Sequence, residues 1–119
     1  MRYACLVYID PMTAFDGSPQ SIGVLEEAEA DRQRLMKRGI TAEALTLPSD
    51  AVTVRIRNGK MRRTDGPFME TKEVLAGFVL IDADTMEAAV AMAATNPMAK
   101  LGAVEIRPLV DFSKPRPVL

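Results

Sequence analysis

Three carboxylates and a lysine stand within nine residues of one another: Asp65, Glu70, Lys72 and Glu73. They belong to Arg63-Thr64-Asp65-Gly66-Pro67-Phe68-Met69-Glu70-Thr71-Lys72-Glu73, which runs into the apolar stretch Gly77-Phe78-Val79-Leu80-Ile81. Side chains of these types can move a proton or hold an anion. A carboxylate next to an apolar residue such as Phe68 can act as a general acid or base if burial raises its pKa. Lys72 can bind an anionic group while Glu70 or Glu73 fixes its position. Asp65-Gly66-Pro67 is also ordinary turn chemistry, in which Asp accepts backbone N–H bonds, Gly turns freely and Pro fixes φ. On that reading Phe68 plugs the core and the charges form a solvated ion-pair network.

Other candidates lie outside this segment. Arg55 and Arg57 share one face of an alternating stretch, followed by Lys60, Arg62 and Arg63. They form either a solvated face or a rim for a carboxylate or phosphate. Glu105 and Arg107 share a face of the last apolar stretch, and the Arg107 guanidinium can grip a carboxylate with two bonds. Tyr8 ends the first apolar run and brings a phenol, either as a hydrogen-bond donor or as core with its OH at the edge. Cys5 reads as inert packing.

What the chain lacks limits the chemistry further. It contains no histidine, so no Ser-His-Asp triad, Cys-His pair or His-ligated metal can form. One cysteine excludes an internal disulfide and makes a zinc site improbable. The acids show no recognised metal spacing, and no cofactor is expected. A net charge of −1 and few aromatics argue against nucleic acid. The apolar runs are too short to span a bilayer, and the N-terminus lacks the layout of a secretory signal, so a cytoplasmic protein is expected.

The elements that must position these residues follow from periodicity. Tyr3–Ile9 reads as a strand buried on both faces, and 12–20 as a loop. Residues 21–38 form a helix with an apolar stripe of Leu25, Ala28, Leu35 and Met36 that also holds Arg32; Gly39 stops it. A strand over 40–47 follows. Val52, Val54 and Ile56 alternate with polar residues as a half-buried strand, Asn58-Gly59 is a hairpin turn, and 60–64 is the return strand. A strand over 77–82, a helix capped by Asp84 with Glu87 at its third position, a stop at Asn96-Pro97 and a strand over 103–109 complete the order. The fold class is α+β: a ferredoxin-like β-α-β/β-α-β pattern with an inserted β-hairpin. One domain spans 1–112, and 113–119 is a Pro-rich tail. Two helices cover one face of a four-stranded sheet. Either Tyr3, Cys5 and Val7 or Ala4, Leu6 and Tyr8 would therefore face water, and a homodimer packed sheet against sheet is expected.

Thr64-Asp65-Gly66-Pro67-Phe68, Glu70-Thr71-Lys72-Glu73, Gly77-Phe78 and the closing Gly102-Ala103-Val104-Glu105-Ile106-Arg107-Pro108 resemble the DGPF branch of the YCII-related proteins over about residues 1–111. The resemblance implies a dimeric α+β barrel and little about activity. It also implies a link to extracytoplasmic-function sigma factors, with a protein partner from such a circuit. Some relatives in the wider family carry a His–Asp pair proposed as catalytic. With no histidine here, that pairing does not transfer, and only Asp65 matches a plausible functional position. Three readings stay open. In the first, a small anionic metabolite is bound or converted, with Asp65 as acid–base, Arg107, Lys72 and Arg55 on the anion, Glu70 or Glu73 in support and Tyr8 donating a hydrogen bond. The second is a non-enzymatic interaction module. The third is a purely structural brace.

Overall fold

The computed structural model describes every residue, Met1–Leu119. Strand β1 (Arg2–Ile9) is followed by a one-turn helix α1 (Pro11–Ala14) and the long helix α2 (Pro19–Lys37). Then come β2 (Thr41–Ala44), a 3-10 turn over Pro48–Asp50, and the hairpin strands β3 (Val52–Arg57) and β4 (Lys60–Asp65). The chain finishes with β5 (Val74–Asp82), α3 (Met86–Ala93), a 3-10 turn over Pro97–Lys100, and β6 (Gly102–Pro108).

The main sheet has the order β2-β5-β1-β6 with every neighbour antiparallel. The two expected central strands are central, and the fold is ferredoxin-like. β1 alternates in burial: Tyr3, Cys5, Val7 and Ile9 are buried, while Ala4, Leu6 and Tyr8 are half-buried. The helices therefore cover the odd-numbered face. There Tyr3, Cys5, Ile81, Ala89 and Ala93 form the core, flanked by Ile40, Val79, Met86, Val104 and Ile106. Each well-buried large side chain in it contributes about 1.5–3 kcal/mol.

On the open face, the register sets Ala4 opposite Leu80 and Arg107, Leu6 opposite Phe78 and Glu105, and Tyr8 opposite Leu75 and Ala103. An irregularity between Val7 and Tyr8 leaves Ala76 without a partner on β1, so the last residues of β1 meet Leu75 and Val74.

Several local expectations are corrected. The 12–20 loop contains α1, because Asp10 caps it by accepting the Met12 N–H at 3.0 Å and Pro11 sits at its first position. Helix α2 starts at Pro19 rather than residue 21, capped by Ser18, whose hydroxyl accepts the Ser21 N–H at 3.1 Å. Thr85, not Asp84, caps α3 by accepting the Ala88 N–H at 3.1 Å. The 40–47 strand shrinks to Thr41–Ala44, and the 77–82 strand starts earlier, at Val74.

The largest correction concerns the hairpin. β3 and β4 pair only with each other. Val52, Val54 and Ile56 are not half-buried but between 48 and 67% exposed. Alternation records two unlike faces of a ribbon, and one face was expected to be covered; within this chain nothing covers it. The chain is accordingly spread out. Its radius of gyration is 16.6 Å, against about 13.5 Å for a compact chain of this length. Its accessible surface is 8793 Å², against about 6,300 Å² for a compact monomer of this mass.

Candidate functional site

The segment after β4 begins as a clasp. Gly66, at φ +100°, donates its N–H to the Ala51 carbonyl at 2.7 Å, and its own carbonyl accepts the Thr53 hydroxyl at 2.9 Å. Those two bonds close the base of the ribbon and aim Pro67 and Phe68 back toward the main sheet. The Thr71 hydroxyl then donates to the Glu73 carbonyl, tightening the last turn before β5.

Between this segment, the end of β1 and the 45–51 connection lies a cavity of about 560 Å³. Tyr8, Leu47, Phe68, Met69, Glu73 and Leu75 are among the residues that line it. The walls are largely apolar, with the Tyr8 phenol and the carboxylates of Glu73 and Asp50 as the ionisable groups among the lining residues. Phe68 is not the core plug that its type suggests. It is 68% exposed, and the Arg55 guanidinium lies 5.4 Å from its ring centre, within cation–π range.

Of the residues singled out in the sequence, Tyr8 and Glu73 line this cavity, and Arg55 reaches its border through Phe68. Lys72 turns to Asp10 instead of its neighbours Glu70 and Glu73, with its Nζ 3.9 Å from Oδ2. Asp65 lies apart. Its side chain is 88% exposed, with Oδ1 3.6 Å from the Arg63 Nε on the ribbon. Glu70 is exposed and makes no ion pair. Arg107 sits on the open sheet face, its Nε 2.8 Å from the Glu105 carboxylate. The structure thus gathers Tyr8, Glu73, Arg55 and, through Asp10, Lys72 around one end of the sheet. Asp65, Glu70 and Arg107 stand elsewhere.

Two charged residues gain weight that sequence reasoning did not give them. Asp10 ends the central strand with its side chain only 12% exposed, and it both caps α1 and faces Lys72. The Asp-Pro pair at a strand end signals the cap; nothing in the sequence signals Lys72, 62 positions away. Arg32 lines a second cavity, of about 230 Å³, between α2 and the sheet, with Leu25, Ala28, Val7 and Ile9. Its place on the apolar stripe was the available signal. It grips Glu29 through Nε to Oε2 at 2.8 Å and Nη2 to Oε1 at 2.9 Å. Those bonds, with a smaller one from Gln33, pull the Glu29 pKa down from 4.5 to about 2, and Glu29 in turn raises that of Arg32.

No group of three or more Cys, Asp or Glu side chains converges as metal ligands would, and no helix is long and apolar enough to cross a membrane. The Cys5 thiol is buried on the central strand, and desolvation raises its pKa, so it is held as the unreactive thiol.

An uncharacterised protein of Rhizobium meliloti (strain 1021) is 33% identical over 117 residues, spanning 94% of each chain. The YCII-related domain matches residues 1–113, nearly the whole of the chain, signature and closing strand included. With this match, the four-stranded ferredoxin-like sheet and the inserted ribbon, the chain belongs to the YCII-related family.

Proposed function

We propose that this protein is a homodimer that binds a small organic anion in the cavity between Tyr8 and the signature segment. The observation that carries the reading is the composition of that cavity: apolar walls from Leu47, Phe68, Met69 and Leu75, one phenol, the carboxylates of Glu73 and Asp50 on the lining, and a guanidinium seated on Phe68 at the border. A ligand that fits has a flat or branched apolar body and one carboxylate or similar anionic group. The body lies against Phe68 and Leu75, Tyr8 donates a hydrogen bond, and Arg55 meets the anion, with Lys72 close to the same end of β1. A volume of about 560 Å³ falls within the range of small-molecule sites.

Conversion of the ligand, where it occurs, would fall to Glu73 or Asp10 as proton acceptor, because both stand at the cavity end of the sheet. Asp65, solvated on the ribbon beside Arg63, is better suited to holding the ribbon's charge pattern than to acid–base work. The dimer half of the proposal is supported by the open sheet face. Ala4, Leu6, Phe78 and Leu80 are only half-buried there, between the Glu105–Arg107 pair on one edge and Glu43 on the other. The chain also carries roughly 2,400 Å² more surface than a compact monomer, well above the ~800 Å² per partner of a standard interface.

The test is a titration of the protein with benzoate, salicylate and hexanoate, followed by backbone and methyl NMR shifts. Shifts should cluster on Tyr8, Leu47, Phe68 and Leu75. Arg55→Ala should weaken binding by about tenfold, the loss of one charge-assisted contact. Shifts scattered over the surface, or none at all, would sink the ligand reading.

A further inference from the structure

The ribbon β3–β4 has two unlike faces, both exposed apart from the half-buried Thr53 at its base. On one face stand Thr53, Arg55, Arg57, Lys60, Arg62 and Thr64; on the other stand Val52, Val54, Ile56 and Met61, with Arg63 and Asp65 at the base. The register sets Arg55 directly opposite Arg62 and Arg57 directly opposite Lys60. Like charges facing each other across a ladder are unfavourable, and none of these four cations has an ion-pair partner in the chain. Five cations and one carboxylate give residues 52–65 a charge of +4, which leaves −5 on the rest of a chain whose total is −1. Among the exposed carboxylates of that remainder, Glu43, Glu70, Glu73, Asp82 and Glu87 are unpaired.

We propose that the ribbon is an arm that closes over a second copy of this chain, burying Val52, Val54, Ile56 and Met61 against the partner's body while its cations meet the partner's unpaired carboxylates. The inference rests on the dimer reading and adds to it the element that holds the dimer shut. Charge selects the occupant. A ribbon-to-ribbon contact would set +4 against +4 and is repelled, whereas ribbon-to-body contact sets +4 against −5. Nucleic acid would satisfy the basic face, but it would leave the apolar row wet and meet a negative body. The exposure agrees as well: Val52, Val54, Ile56 and Met61 are between 48 and 67% exposed and gain cover only from another molecule.

Two measurements test this. In the first, sedimentation is compared for wild type and a Val54→Ser/Ile56→Ser variant, with circular dichroism checking that the main sheet is intact. The variant dimer should dissociate at a concentration at least about tenfold higher than wild type. In the second, a nitroxide is attached at Ile56→Cys in a Cys5→Ala background, and the labelled chain is mixed with unlabelled, ¹⁵N-enriched chain. Amides of the enriched partner's body should broaden. A monomeric wild type overturns the dimer reading and this proposal together. A dimer of equal strength in wild type and variant, without intermolecular broadening, overturns this proposal alone. So does a ribbon whose amides respond only when a DNA duplex is added.

Discussion

Arg32 and Glu29 lock together one turn apart on α2, at the mouth of the smaller cavity, and their fork-to-carboxylate geometry is what depresses the acid. The sign of the pH effect follows directly. A carboxyl lowered from 4.5 to about 2 stabilises the fold at pH above its ordinary value, and that contribution disappears as pH falls through about 2. Glu29 is exposed and Arg32 half-buried, and the pair lies within one helix, so the effect is local to α2. Carboxyl-detected NMR should show Glu29 titrating near 2 in wild type and returning toward 4.5 in Arg32→Met. An unchanged midpoint in that variant would assign the shift to another cause. Residue identity alone made Arg32 visible as a polar group on an apolar stripe. It did not reveal the partnership of Asp10 with Lys72, because a pair 62 positions apart depends on the docking of the whole signature segment. Nor did it give the α3 cap correctly, pointing to Asp84 where Thr85 is the cap. Both are competent cap residues, and the exit of the chain from β5 decides which oxygen faces the Ala88 N–H.

At the level of elements, alternation and turn residues made most of the fold legible. The two central strands, the Asn58-Gly59 turn with both residues at positive φ, the end of α2 at Gly39 and the last strand all follow from local rules. The ribbon's exposure was not legible, since a period of two reports that two faces differ and is silent on what covers either. The backbone approach of β6 to β1 was equally hidden. A Cβ on Gly102 would come within 1.9 Å of the Tyr8 carbonyl oxygen, and both atoms are bound to main chain that cannot step aside. Gly102→Ala should therefore destabilise the fold by about 2–3 kcal/mol and release β6 first. Urea unfolding, with hydrogen exchange on Val104 and Ile106, measures both, and wild-type stability in that variant would show that the strand can slide to make room.

Over the whole molecule, the sheet, the ribbon and an unpaired tail divide the charge unequally. The tail beyond the Leu109 N–H bond to the Arg2 carbonyl carries Lys114 and Arg116 against Asp111. The separation of a +4 ribbon from a −5 remainder, over a molecule 50 Å long, makes each chain an electric dipole. Two dipoles drifting together turn toward each other before they touch, with each ribbon attracted to the opposite body. Assembly on this scheme is steered, so its rate should fall steeply between about 20 and 300 mM salt, as the screening length shrinks from some 20 Å to under 6 Å. The rate of separation, governed by apolar contact, should barely move. Stopped-flow dilution and mixing of dimers at several salt concentrations separates the two, and an association rate indifferent to salt would deny the ribbon any part in the approach. The same dipole gives the molecule a preferred heading near any charged surface. It would meet an anionic surface ribbon first, with the acidic remainder of the chain turned away, so a net charge of −1 does not make this chain electrically featureless.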